Sequence, residues 1–246
     1  MKIEFIKPEK VFSESEILCC ITSNQEGFSE YPYGLNMSYK VNDKAENVTK
    51  NREEVYKALG ISGNRIVLQK QVHSDIVTYA DKSGLIDASD ALITDKKNLI
   101  LTLSVADCYP VFIADNSERI IAAVHSGWRG TEKNISGNTI SEIRKRFGID
   151  SHNLQAYIGP GICVNHFEVG KEVYERFPDE VRKKNNGKYF VDLRKNIFLQ
   201  LLDSGIKPEN IEVCNLCTYE ENSLLHSYRR DKEKSGRMFG FIGLLR

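Results

Sequence analysis

The apolar positions of this chain fall mostly into short runs bounded by turn residues, the pattern of strands with one or both faces buried. Residues 17–22 (ILCCIT) read as one such strand. Residues 65–70, 75–80, 91–94, 99–105, 111–115 and 120–124 form a strand-rich middle, and 154–158 and 211–214 add two more. Helical spacing appears in four places. Residues 43–59 bring Val48, Val55 and Leu59 near one face, and Gly60 can end that helix. Residues 134–147 align Ile135, Ile140, Ile143 and Phe147, with Gly148 as the stop. Residues 169–177 and 193–202 read as two further helices, and 159–161 (GPG) as a turn. The strand 211–214 is followed by a polar stretch ending in Ser227-Tyr228-Arg229-Arg230, with no element assigned beyond it.

Residues 24–42, rich in Gly, Asn, Tyr and Pro, form a connection longer than most, and long ordered loops are often functional. Strands and helices mix without a strict βαβ alternation, which predicts an α/β (α+β) fold with mixed or antiparallel sheets. No repeat, low-complexity tract or long linker interrupts the pattern, so one domain over residues 1–246 is expected.

Composition narrows the function classes. Lys plus Arg and Asp plus Glu are both 34, so the chain lacks the excess of cations on which general nucleic-acid affinity rests. A small anion held by a few arginines remains compatible with this balance. The N-terminal MKIEFIKPEK has no apolar core of a signal peptide. The most apolar stretch, 99–114, is broken by Asp107 and Pro110 and is too short to span a bilayer. The expectation is therefore a cytoplasmic protein with no membrane or nucleic-acid partner and six reduced cysteines.

Reactive residues sit at the edges of three apolar runs: Gln71-Val72-His73-Ser74, Ala106-Asp107-Cys108-Tyr109-Pro110, and Val124-His125-Ser126-Gly127-Trp128-Arg129-Gly130. Strand ends are where rigid scaffolds place functional groups. Two imidazoles and one thiolate from His73, Cys108 and His125 make a borderline-soft donor set for Zn²⁺, and three protein ligands leave a fourth position open, as in catalytic zinc sites. A lone cysteine in an apolar run is equally the pattern of a small core residue, and each histidine can be read as structural. Arg129 can grip phosphate or carboxylate, or form a surface ion pair; Arg52, Arg229 and Arg230 are similar candidates. Cys214-x-x-Cys217 has a formal metal spacing but no second pair of ligands in sequence. Cys19-Cys20 reads as part of a core strand.

At these residues the chain resembles the bacterial YfiH/YlmD family, once labelled multicopper polyphenol oxidases or laccase-domain proteins and related to the mammalian laccase-domain purine enzyme. The matching segments run nearly end to end, from Asn36-Met37-Ser38 and Asn51-Arg52 through Gln71-Val72-His73, Ala106 to Val111 and His125 to Gly130. They continue with Ile158 to Ile162, Phe167 to Gly170, Asp192-Leu193, Cys217-Thr218, Ser227 to Asp231 and Gly236-Arg237. Two departures stand out: Ser126 where the family often has Ala, and His166-Phe167 where it often has Cys or Tyr before Glu-Val-Gly.

The resemblance implies a four-layer α/β/β/α sandwich, likened in fold to a bacterial toxin with a catalytic Cys-His pair. It implies that His73, Cys108 and His125 bind zinc, with copper as a possible substitute. It implies phosphorolysis of adenosine, inosine, guanosine and methylthioadenosine, plus adenosine deamination, so that purine nucleosides and phosphate are the expected partners of an enzyme taken to be monomeric. In deamination a zinc-activated water would attack C6 of adenine, with Asp107 as proton carrier beside Cys108 and His125. In phosphorolysis Arg52, Arg129 and Arg229 are the candidates for phosphate, and Asn36 and Ser38 for sugar or base. Two other enzyme readings remain. One is a metal-free thiol hydrolase with Cys108 as nucleophile and His125 as base, which would also suit the link of related proteins to peptidoglycan-precursor editing. The other is a copper-dependent phenol oxidase, which five histidines do not equip with a multicopper centre. A non-enzymatic nucleotide-binding module is the reading from outside enzymology.

Overall fold

The computed structural model describes residues 3–12, 16–117 and 119–245. Its first half runs β1 (Phe5–Ile6), β2 (Ile17–Thr22), α1 (Ala45–Ala58), β3 (Ile66–Gln69), β4 (Val77–Tyr79), β5 (Gly84–Ile86), β6 (Ala91–Thr94), β7 (Ile100–Val105), β8 (Tyr109–Asp115) and β9 (Ile121–Ser126). Then follow α2 (Trp128–Glu132), α3 (Ile135–Phe147), β10 (Leu154–Ile158), β11 (Glu168–Val169), α4 (Lys171–Tyr174), β12 (Arg182–Asn185) and β13 (Lys188–Val191). The chain closes with α5 (Leu193–Asp203), β14 (Ile211–Val213), α6 (Tyr228–Asp231) and β15 (Met238–Leu244).

Two mixed six-stranded sheets, ordered β1-β2-β15-β7-β3-β5 and β14-β10-β8-β9-β6-β4, stack face to face. Side-chain alternation explains the layering, because successive residues of a strand point to opposite faces. In β8, Val111 and Ile113 join the core under α3 and α5, while Phe112 and Ala114 enter the layer between the sheets. In β9, Ala122 and Val124 face the helices, and Ile121 and Ala123 face the other sheet. On the first sheet, Leu101, Leu103 and Val105 of β7 point to that same middle layer. Its outer face packs Cys20, Ile100 and Phe241 against Val55 of α1. The result is helix, sheet, sheet, helix, the four-layer sandwich expected from the resemblance. Strands buried on both faces read as unbroken apolar runs, which is why β6 to β9 were legible. Gly240 lets the sheets approach: a Cβ there would lie 2.7 Å from the Phe112 ring.

One expectation changes, and two strands lacked a sequence signal. Residues 169–177 are not one helix; Val169 pairs with Tyr189 in a small sheet, β11-β13-β12, and only Lys171–Tyr174 is helical. Val169, Val173 and Phe177 carry a helical period, but Gly170 stays extended and separates strand from helix. The charged edge strand β12 (RKKN) had no apolar signal. The last strand, β15, was hidden because Gly240 and Gly243 interrupt its apolar run, yet it is a central strand of the first sheet.

His226 is buried, and its Nε2 has no hydrogen-bond partner among the described residues. Burial, reinforced by Arg237, pulls its pKa down from 6.5 to about 3. The unfolded chain therefore binds this proton more tightly, and stability is lost as pH falls below 6.5, the loss growing down to about pH 3. At pH 5 the contribution is about 2 kcal/mol. Denaturant unfolding at pH 7 and pH 5 is expected to show this drop in the wild type and to show it smaller by about that amount in His226→Gln.

Candidate metal centre and substrate cavity

Strand register and the β3–β4 connection place the three candidate donors together. Cys108 immediately precedes β8, whose Tyr109 faces the helical layer, so alternation turns Cys108 towards the middle layer. His125, after the helix-facing Val124, turns the same way near the end of β9. His73 lies in the connection from β3 to β4 and holds a left-handed backbone at φ 59°. Asp107, with φ 89°, is a second non-glycine residue in that region. Such backbone strain gathers at functional sites.

One donor atom from each of His73, Cys108 and His125 lies within 4.8 Å of the other two. The two imidazoles meet edge to face, with centroids 4.9 Å apart. Gly127 keeps the space open: a Cβ there would stand 3.0 Å from Cys108 Sγ and 3.1 Å from His73 Cδ2. Gly127→Ala is expected to weaken metal binding by about tenfold through displacement of these ligands. Competition with a chromophoric chelator measures it.

A buried carboxylate that the sequence reading missed anchors the cluster. Asp90 Oδ1 lies 2.8 Å from His125 Nδ1, which leaves Nε2 of that ring for Cys108. Asp90 also accepts the backbone amides of Val72, His73 and Ser74 and the Ser74 hydroxyl, so it shapes the His73 turn as well. Burial works against charge on Cys108, but His125 and His73 outweigh it and pull the thiol down to about 6. Burial likewise opposes protonation of His125, while Cys108 and Asp90 raise its pKa to about 9. Asp90 is held well below the usual carboxylate range; its bonds to His125 and Ser74 overcome burial. Asp90 immediately precedes β6 as a polar residue at an apolar edge, the same signal that drew attention to Cys108 and His125.

The cluster opens into a cavity of about 820 Å³. Of the residues expected at the site, Ser38, Arg52, His73, Asp107, Cys108, His125 and Arg229 line it. Asn36 does not. It is fully buried, its Nδ2 donates to Ser38 O and Asp43 Oδ2, and its Oδ1 accepts from the Ser38 and Arg237 amides, so it holds the loop instead of a ligand. Arg129 does not either: it lies outside the cavity on α2, exposed, with its guanidinium 4.3 Å over the Trp128 ring. Trp128 packs against the helical core and also stays out of the cavity.

Arg52 spends Nε and Nη2 on Met37 O and stacks between Tyr39 and Phe239. Arg229 Nη1 donates to the carbonyls of His166 and Glu168, while its amide and the Thr218 hydroxyl hold the two oxygens of Asp107. Arg237, not singled out from the sequence, is the cation beside Asp107 and Cys108. Its Nη1 binds Ser235 O and Gly236 O, leaving Nε and Nη2 without a protein partner among the described residues. With Lys40 and Lys70 also in the lining, the cavity is cationic around a single carboxylate side chain among the described residues.

Residues 18–245 match the family described as multi-copper polyphenol oxidoreductase laccase. The chain belongs to this family. A relative from Bacteroides thetaiotaomicron named purine nucleoside phosphorylase is 32% identical over 95% of this chain and 94% of its own length. Purine nucleoside phosphorylase YlmD of Bacillus subtilis is 32% identical over 94% and 90%. The crystal structure of Bacillus licheniformis hypothetical protein YfiH superposes with a TM-score of 0.92 at 30% identity, over 98% of this chain and 96% of that one. Family membership brings a metal into question, and the residues present fit one. Two imidazoles and a thiol drawn towards thiolate converge, with a carboxylate behind one imidazole as metal-binding histidines usually have. No helix among the described residues is long and apolar enough to cross a membrane.

Proposed function

We propose that the chain is a zinc-dependent purine nucleoside phosphorylase, one catalytic domain over residues 1–246, that also deaminates adenosine. The observation that carries this reading is the convergence of His73, Cys108 and His125 at the wall of a cationic cavity large enough for a drug-sized ligand. The relatives' names support purine nucleosides as the substrate class. Cytoplasmic location and a monomeric state belong to the same proposal.

His73, Cys108 and His125 would hold the zinc, which supplies Lewis acidity at the cavity wall when bound. The chain's own residues do the rest. In phosphorolysis a phosphate oxygen bonds to the anomeric carbon as the glycosidic C–N bond breaks, and the base leaves with a proton. Arg237 faces phosphate with its free Nε and Nη2, and Arg229 and Arg52 add charge around it. Asp107, fixed by Thr218 and the Arg229 amide, presents a carboxylate for proton transfer beside the centre. Phe167, Tyr228 and Phe239 give apolar ring surface for the purine. Losing one charged hydrogen bond to phosphate costs about 1.5–3 kcal/mol. Arg237→Gln is therefore expected to raise the KM for phosphate roughly 10- to 100-fold, measured by varying phosphate at saturating inosine.

The deciding experiment is product analysis of adenosine and inosine with and without phosphate. Free base formed only with phosphate, together with ribose 1-phosphate, is expected; free base without phosphate means hydrolysis. Inosine formed from adenosine reports deamination. A second reading has its own support: the chain Asp90–His125–Cys108, with the thiol pulled down and the imidazole pulled up, also suits a thiol hydrolase. His73, the second imidazole on the same sulfur, favours the metal. Full activity in protein with under about a tenth of an equivalent of zinc would select the thiol enzyme, since a bound ion is stoichiometric.

A further inference from the structure

A second group of metal-type donors lies behind the cavity wall. The half-buried Cys163, the buried Cys217 and the exposed Glu220 each offer a donor atom within 4.8 Å of the others. None of the three lines the cavity or belongs to the His73–Cys108–His125 set. Cys163 follows the turn at Gly161, which bridges to Cys217, so the fold brings the two sulfurs together across 54 positions of sequence.

We propose that Cys163, Cys217 and Glu220 form a second site for a borderline-soft divalent cation, Zn²⁺ above all. Two thiolates and a carboxylate suit such an ion, and an exposed third donor leaves a position open to solvent. Bonds of about 2.0–2.3 Å put tetrahedral donors roughly 3.3–3.8 Å apart, which small side-chain rotations reach from the present spacing. Cys163 Sγ already stands 3.7 Å from Glu220 Oε1.

The surroundings match a thiolate site. The Cys163 amide points at Cys217 Sγ from 3.3 Å, and the Asn165 amide hydrogen-bonds Cys163. Amide bonds to sulfur stabilise thiolates and tune thiolate-bound metals. His166 Nε2 holds Glu220 Oε1 at 2.9 Å, and its ring stacks on Tyr219 with centroids 4.2 Å apart, so the carboxylate is positioned from outside.

The ion would tie two segments that build the cavity. Residues 161–168 carry Ile162 and Phe167 of the lining, and Thr218, next to Cys217, fixes Asp107. Its role is to hold the wall on which substrate rests.

The test uses metal-free protein carrying Cys108→Ser, which removes the sulfur of the first site. Titration with Co²⁺ is expected to give a near-ultraviolet thiolate-to-cobalt charge-transfer band that Zn²⁺ bleaches and that Cys163→Ser with Cys217→Ser abolishes. Glu220→Gln, at an exposed position, is expected to weaken Zn²⁺ by more than about tenfold. In protein with Cys108 intact, the same site reads as a further equivalent of Zn²⁺ that the double serine variant loses while the first equivalent stays, so the test survives should Cys108→Ser misfold. Zinc content unchanged by the double serine variant overturns the proposal. So does a Cys163–Cys217 disulfide in the protein as isolated, seen as the loss of two hydrogens by intact mass.

Discussion

Cys108→Ala is expected to retain under about a tenth of an equivalent of zinc at the first site and to lose a factor on the order of 10³ or more in kcat/KM for inosine phosphorolysis. The magnitude follows from a Lewis acid worth several kcal/mol in the transition state, with about 1.4 kcal/mol for each tenfold. Cys108 is half-buried at the edge of a cavity, so truncation leaves β8 and β9 paired and the fold intact. Elemental analysis and steady-state kinetics on one preparation check both halves. Zinc is also expected to protect wild-type Cys108 from iodoacetamide, with peptide mapping as the readout. Protection fails if the thiol is a free nucleophile.

Asp90→Asn carries the second largest effect. The carboxylate accepts His125 Nδ1 and the His73 amide on one oxygen, and the Val72 and Ser74 amides with the Ser74 hydroxyl on the other. An amide side chain must turn its NH₂ towards one of these donor sets, so a buried donor loses its acceptor at about 1–3 kcal/mol, more where charge is involved. Loss of the outer partner of a ligating histidine typically costs 10- to 100-fold in metal affinity or activity. Zinc affinity and kcat are expected to fall by that factor, and thermal unfolding to move down. A variant with lower stability but unchanged zinc affinity would make Asp90 a purely structural residue.

Much of this was readable from residue order, for physical reasons that differ by element. Strands β6 to β9 are buried on both faces and show as apolar runs, so His125 and Cys108 stood out as polar interruptions at their ends. Register then decided which way they face, and register follows from alternation once the strand is known. Asn36 and Arg129 fall outside the cavity lining, because sequence does not show where a polar group is spent. Asn36 is consumed by four hydrogen bonds in its own loop and with Arg237, and α2 turns Arg129 away. Asp90 and Arg237 were missed for the converse reason: each acts through partners distant in sequence. The Cys163–Cys217 pairing was hidden because the CxxC spacing drew attention to Cys214, which faces Tyr157 instead.

Zinc-edge X-ray absorption tests the central claim most directly: that His73, Cys108 and His125 share one ion. The sample is protein loaded with a single equivalent, with Cys163 and Cys217 both replaced by serine so that one site is counted. One sulfur at about 2.3 Å and two imidazole nitrogens at about 2.0–2.1 Å are expected in the shell. A shell of light atoms alone, or protein that will not take up the ion, contradicts the account.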